Sequence, residues 1–206
     1  IGNGTYLPAE DHSAEGNPRM RSAGKARLGV EVAIKDAQGN VVPNGVIGEI
    51  CIKSASNMLG YWKREEATAS TLVDGWVHTG DAGYLDDDGY VFVQDRIKDM
   101  IVSGGENVYP AEVESALFGI EGIADVAVIG VPDDRWGEAV KACVVLKPGA
   151  SLSAEAIIVA AKEKIAGYKV PKSVDFIAML PRNPSGKILK RELRAPYWEG
   201  RDRQVN

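Results

Sequence analysis

Trp76-Val77-His78-Thr79-Gly80-Asp81, and further on Asp86-Asp87-Asp88-Gly89-Tyr90-Val91-Phe92-Val93 running into Asp95-Arg96-Ile97-Lys98-Asp99, hold the key to the fold. Apolar runs flank an acidic tip that ends in Asp-Gly, the pattern of a β-hairpin. A calcium loop built on Gly89 as its glycine fails. It would place Tyr84 where the first acidic ligand belongs and Asp95 where a Glu belongs. The charged pentad Asp95–Asp99 then separates two rhythms of sequence.

Upstream of the hairpin, residues 29–53 alternate as strands do. Val30, Val32 and Ile34 share one face, Asp36 to Asn40 form a polar turn, and Gly48-Glu49-Ile50-Cys51-Ile52 is the next run. Residues 63–73 read as the helix of this half, with Ala67, Ser70 and Leu72 behind a charged start, before the turn signal Asp74-Gly75. Downstream, Pro110 opens a helix through Glu112, Val113, Glu114, Leu117 and Phe118. Strands follow at Val126–Val131 and Val140–Leu146. A helix capped by Ser153 carries Ile157, Ile158, Ala161 and Ile165, then come a strand at Val174–Ala178 and a short helix at Lys190–Arg194. The class is α+β: a mostly β first half, residues 1–95, and a small α+β domain, residues 96–206, in which two helices alternate with three strands.

Composition agrees. The 206 residues are 45% apolar and 26% charged, enough for a core and too ordinary for disorder, a coiled coil or a collagenous repeat. No apolar run approaches the roughly 18–20 residues of a membrane span, and no signal segment is visible. Cys51 and Cys143 each lie in an apolar run, as buried reduced thiols do, which points to a cytoplasmic address. Neither has a Cys or His at ligand spacing, so no metal ligand is assigned in this chain. The net charge is −5, yet residues 162–206 hold 11 basic and 5 acidic side chains. A basic tail on an acidic chain suits an anionic, phosphate-bearing ligand, although a solvated lysine-rich surface explains it as readily. Nucleic acid is disfavoured, since the basic residues lack interleaved aromatics.

Four segments can carry chemistry. Asp81 follows a glycine at a strand end, where its two oxygens can accept from both hydroxyls of a vicinal diol; capping a turn is the commoner fate. His78 by itself reads as a partly buried strand histidine. The pentad Asp95–Asp99 is a solvated connector or a pivot on the domain break. Ser103-Gly104-Gly105-Glu106-Asn107 allows close backbone approach by a ligand but lacks the Lys-Ser/Thr ending of a P-loop. Pro181-Arg182-Asn183-Pro184-Ser185-Gly186-Lys187 is an irregular loop whose lysine is either solvated or swung onto a phosphate or carboxylate oxygen.

Taken in order, these segments resemble one family, the AMP-forming acyl-CoA synthetases of the adenylate-forming superfamily. The matching stretches are Leu7-Pro-Ala-Glu-Asp-His12, Arg21-Ser-Ala-Gly24, Gly48-Glu-Ile, Gly60-Tyr-Trp, His78-Thr-Gly-Asp81, Asp95-Arg96, Lys98-Asp99, Gly104-Gly105, Pro110-Ala-Glu-Val-Glu114 and Pro184-Ser-Gly-Lys187. The resemblance implies a β-rich, distorted barrel-like subdomain that ends the synthetase N-terminal domain. A mobile C-terminal domain with a three-stranded sheet flanked by helices would follow it.

The implied chemistry has two steps. A carboxylic acid, fatty or aromatic, attacks the α-phosphate of ATP to give acyl-adenylate, and the coenzyme A thiol then displaces AMP. By this likeness Asp81 and Arg96 hold the ribose, Lys187 reaches the reacting oxygens, and Lys98 is the hinge. Gly104 and Gly105 line the pantetheine path, while Tyr168 and Lys169 meet the coenzyme A nucleotide. The last of these is the weakest correspondence, because Val170 stands where some relatives carry a basic side chain.

The family's phosphate-binding loop, its acyl pocket and the Thr-Glu that helps hold Mg2+ have no counterpart in the sequence. The chain, which begins at Ile1-Gly2-Asn3-Gly4, is therefore expected to be a C-terminal portion, inactive in adenylation without the missing N-terminal domain. Two other readings stay open: an adenylation domain serving a carrier protein, and a non-catalytic module that binds nucleotide or coenzyme A.

Overall fold

The computed structural model describes residues 4–201. It divides into two compact units, Ile1–Ile97 and Lys98–Asn206. In the first, β1 (Thr5–Tyr6) pairs with β2 (Lys25–Ala26) as a small ribbon. A five-stranded antiparallel sheet follows, formed by β3 (Val30–Lys35), β4 (Gly48–Ser54), β5 (Leu72–Val73), β6 (Trp76–Leu85) and β7 (Val91–Arg96). Its order is β3-β4-β6-β5, with β7 also on β6.

Two aspartates make its turns. Asp36 Oδ1 accepts from the amides of Gln38 and Asn40 at 2.9 and 2.8 Å, and Asp86 Oδ1 from those of Asp88 and Tyr90 at 3.1 and 2.8 Å. The acidic tip is thus a hairpin turn held by a side chain that mimics backbone. Among the described residues, β3 has β4 as its partner among the named strands and stands at one end of the strand order. Helix α1 (Glu65–Thr71) is shorter than the run 63–73. Leu72 is extended and pairs with Val77, because the turn at Asp74-Gly75 folds β5 back onto β6.

The second unit holds β8 (Ile101–Ser103), β9 (Glu106–Val108), α2 (Pro110–Phe118), β10 (Ile123–Asp133), β11 (Gly137–Leu146), α3 (Ala154–Lys162), β12 (Ser173–Phe176) and α4 (Lys190–Arg194). The three strands expected from sequence, β10, β11 and β12, form one sheet with β12 parallel to β11. The sheet has five strands rather than three, since the β8–β9 hairpin joins it through the pair Ser103 and Gly137.

Alternate residues of β10 enter different cores. Val126 and Val128 pack with Val113 and Leu117 of α2 and Ile157 of α3, whereas Ala127, Ile129 and Val131 pack with Leu180, Leu193 and Tyr197. Burial on both faces is why residues 126–131 of this strand are apolar throughout instead of alternating. Pro110 is at the first turn of α2, where its missing N–H costs nothing, and Ser153 Oγ accepts from the Ala156 amide at 3.1 Å to cap α3.

Candidate nucleotide and thioester site residues

Within Ile1–Ile97 the site is made by two irregular ladders that meet on β6. Against β7 the register runs Leu85 to Val91, Tyr84 to Phe92 and Gly83 to Val93, then slips so that Ala82 faces Asp95 and Asp81 faces Arg96. Gln94 is the extra residue of this bulge. Without it Asp81 would face Asp95, two like charges; with it Arg96 Nε reaches Asp81 Oδ1 at 3.0 Å.

On the other edge of β6, Glu49 pairs with Ala82 and Cys51 with His78. Thr79, Gly80 and Asp81 therefore bow out opposite Ile50 alone. Thr79 Oγ1 donates to Ile50 O at 2.8 Å and accepts from the Asp81 amide at 3.1 Å. Gly80 has φ +72°, which favours glycine, and its amide donates to Glu49 Oε1 at 2.9 Å. The bulge aims Asp81, and Glu49 holds the bulge.

Glu49 also engages His78, whose Nδ1 lies 2.6 Å from Glu49 Oε2 and 3.5 Å from Cys51 Sγ. Burial pushes the Cys51 thiol up to about 11, with the Glu49 charge adding to it. Cys143 is likewise a buried free thiol raised to about 11 by burial, then by Asp175.

In Lys98–Asn206 the remaining residues stand on separate elements. Gly104 and Gly105 form the β8–β9 turn with φ +63° and +86°. A Cβ at Gly104 would lie 2.6 Å from the Trp136 ring, and the Gly104 amide donates to Trp136 O at 2.9 Å, so this glycine is fixed by close packing. Gly105 faces open space.

Tyr168 and Lys169 are neighbours: the Lys169 ammonium is 5.5 Å from the Tyr168 ring centroid. Lys169 is already engaged, with Nζ 2.7 Å from both Glu112 oxygens. Burial works against its charge, but the Glu112 carboxylate outweighs that and raises its pKa.

Lys187 is exposed on an ordered loop. Asn183 Oδ1 accepts from the amides of Ser185 and Lys187, while Arg182 donates to Gly186 O and to Asp125 on β10, both at 2.6 Å. Lys98 lies in a short 3-10 turn, Ile97–Asp99, at the boundary of the two units. Its neighbour Asp99 accepts from Arg194 of α4 at 2.8 Å.

Sequence reading passed over Glu49, Trp136 and Arg182 as partners. The signals were Gly48-Glu49 entering a strand, Trp136-Gly137 at a hairpin tip, and an arginine flanked by prolines. None of them says which distant group the side chain meets.

The family described as AMP-binding enzyme matches residues 4–62, and that described as AMP-binding enzyme C-terminal domain matches residues 112–187. The chain belongs to the AMP-binding enzymes. It is 48% identical over 97% of its length to a fatty acid–[acyl-carrier-protein] ligase, ScoC of Streptomyces coeruleorubidus, of which it covers 38%. It is 50% identical over 90% of its length to a feruloyl-CoA synthase of an Amycolatopsis species, of which it covers 37%. Among solved structures, ATP-bound MatB from Rhodopseudomonas palustris is similar with a TM-score of 0.81 and 39% identity, over 86% of this chain and 36% of that one. The chain thus spans little more than a third of these relatives. Among the described residues, no helix is long and apolar enough to cross a membrane.

Proposed function

We propose that this chain is the C-terminal part of an acid–thiol ligase, residues 1–95 closing its large domain and residues 96–206 forming its mobile one. The bulge that sets Arg96 rather than Asp95 against Asp81 is the observation that carries the reading. It presents one carboxylate, oriented by a guanidinium, at the bowed end of a strand, as recognition of a ribose diol requires. ATP, a small carboxylic acid and coenzyme A are the substrates in this reading, and the protein works in the cytoplasm, which its two buried reduced thiols suit.

In adenylation, Asp81 accepts from the ribose hydroxyls and Arg96 keeps it oriented. Lys187 brings a compact positive charge to the oxygens that gain charge as the acid attacks phosphorus. Its loop is tied to the sheet through Arg182 and Asp125, so the ammonium moves with the unit as one piece. Rotation at Lys98 then exchanges Lys187 for the Gly104-Gly105 turn, along which pantetheine passes. Tyr168 offers a ring for the coenzyme A nucleotide. Lys169 must leave Glu112 to touch a phosphate, which lowers the gain from that contact.

Mg2+ finds no fit among the described residues. Their one cluster of possible ligands, Glu49, Cys51 and His78, includes a thiol, unsuited to a hard ion that prefers oxygen. The metal belongs in this reading to the N-terminal part.

The match to ScoC supports a second reading, in which a carrier-protein thiol replaces coenzyme A. Acid-dependent exchange of pyrophosphate into ATP tests the proposal. The full-length protein should exchange and the 206-residue chain should not, for want of triphosphate donors and metal carboxylates. Exchange by the chain alone overturns the partial-enzyme reading. Thioester formation with coenzyme A against a phosphopantetheinyl carrier protein separates the two acceptors.

A further inference from the structure

We infer that Glu49, Cys51 and His78 form a binding site for a borderline-soft divalent transition ion such as Zn2+, bonded through Glu49 Oε2, Cys51 Sγ and His78 Nδ1 with water as the fourth ligand. The register of β4 on β6 sets Cys51 opposite His78, and the bulge at Ile50 brings Glu49 around to the same point. The three ligand atoms lie within 4.8 Å of one another.

Their arrangement excludes a nucleophilic relay. In a Cys-His-carboxylate relay the imidazole uses one nitrogen for each partner. Here Cys51 Sγ and Glu49 Oε2 both approach Nδ1, which is the convergence of a chelate.

The sulfur-to-nitrogen distance suits a tetrahedral ion, and the carboxylate must move to complete the set. Bonds of about 2.3 Å to sulfur and 2.0–2.1 Å to nitrogen place those two atoms roughly 3.5 Å apart. The sulfur-to-nitrogen distance is 3.5 Å already. Nitrogen and carboxylate oxygen need about 3.3 Å. Starting from 2.6 Å, Glu49 must therefore swing outward by about 0.7 Å.

The way in is open. Cys51 closes the floor, and the His78 and Glu49 side chains, 20% and 22% exposed, face water where the ion enters and the fourth ligand binds. Glu49 Oε1 takes the Gly80 amide, an outer-shell contact that orients the carboxylate. On binding, the thiol proton and the Nδ1 proton that His78 gives to Glu49 leave to solvent, and a neutral imidazole then holds its one proton on Nε2. Ligand type selects the ion: thiolate and imidazole favour Zn2+ or Co2+ over Mg2+ or Ca2+. The ion also pulls on the carboxylate that holds the Thr79–Asp81 bulge, so occupancy reaches the segment carrying Asp81.

Titration of the purified chain with Co2+ tests this, with circular dichroism alongside. The chain should develop a thiolate-to-cobalt absorption band that Zn2+ displaces, and the Gly80 and Asp81 amide resonances should shift under Zn2+. Cys51→Ser should abolish the band while Cys143→Ser keeps it. Glu49→Gln and His78→Gln should each weaken Zn2+ by more than the roughly 10–100-fold that loss of an outer-shell partner costs. These two variants serve as the test if Cys51→Ser does not fold. No band up to millimolar Co2+, or a band that survives Cys51→Ser and disappears in Cys143→Ser, overturns the site.

Discussion

In Lys98–Asn206, β10 and β11 are buried on both faces, under α2 and α3 on one side and under Leu180, Leu193 and Tyr197 on the other. In Ile1–Ile97, the cluster of buried apolar side chains is Ile34, Ile50 and Val91, with Val32, Val42, Ile52 and Leu85 packed against it. Both units add polar pairs, the second among others Lys141 with Asp175, Lys169 with Glu112 and Arg194 with Asp99, but in the first they accompany the smaller apolar cluster. Buried Asp11 accepts from the Tyr90 hydroxyl and from Arg19, which also reaches Asp88, and Glu49 joins His78 to the Gly80 amide. The unit that carries Lys187 gets its rigidity from close packing, which is hard to shift. In the unit that carries Asp81, hydrogen bonds across irregular ladders define the position of that residue beside a smaller apolar cluster.

Core truncation should separate the two units most widely. Leu117→Ala, at a side chain with no exposed surface, should cost about 2–5 kcal/mol, since packed helix and sheet cannot collapse onto the cavity. Val91→Ala should cost roughly 1.6 kcal/mol by the methylenes removed. Hydrogen exchange read separately for residues 4–97 and 98–201 measures both. Equal losses would show that the polar unit is packed as tightly as the other.

A smaller but sharper contrast is expected in the two half-reactions of the full-length protein. Lys187→Ala should slow adenylation about a hundredfold or more and leave thioester formation from supplied acyl-adenylate largely intact. Lys98→Pro should do the reverse, because proline fixes φ near −65° and restricts Ile97 before it. Stopped-flow measurement of each half-reaction, beside a thermal melt, decides. Equal loss in both steps from Lys187→Ala would make that lysine structural, and normal turnover by Lys98→Pro would put the pivot elsewhere.

Acid should act on both units through one carboxylate each. The Tyr90 hydroxyl, then Arg19, hold the Asp11 pKa below its ordinary 3.8. For Asp175 burial pushes upward, but Lys141 and the Tyr197 hydroxyl outweigh it and the pKa is again lowered. A folded-state pKa below the unfolded one gives stability that is present above about pH 4 and is lost as pH falls through the folded value. Tyr90→Phe and Tyr197→Phe should each raise the pH at which their own unit loses hydrogen-exchange protection. A loss of protection at the same pH in wild type and variant would show that the hydroxyl does not set the carboxylate.

Much of this was legible because it is local. Asp36 and Asp86 bond amides two to four residues on, Ser153 caps an amide three residues away, and Asp88-Gly89 needs no distant partner to turn a chain. Strands β10, β11 and β12 could be read from their apolar runs. Leu72 misled because a helical spacing ran into the turn at Asp74-Gly75, and the β8–β9 hairpin escaped notice because three-residue strands leave hardly any periodicity. The sequence by itself determined the two rhythms, the turns, the caps, and the charged residues available to a nucleotide. Tertiary structure alone decided which of those charges meet. One unpaired residue, Gln94, turns Asp81 from Asp95 to Arg96. A two-residue slip on the opposite ladder gathers Glu49, Cys51 and His78, and Glu112 takes Lys169 across 57 positions of chain. Strand register has a period of two, so a slip too small to leave a mark in composition or spacing changes every partner beyond it.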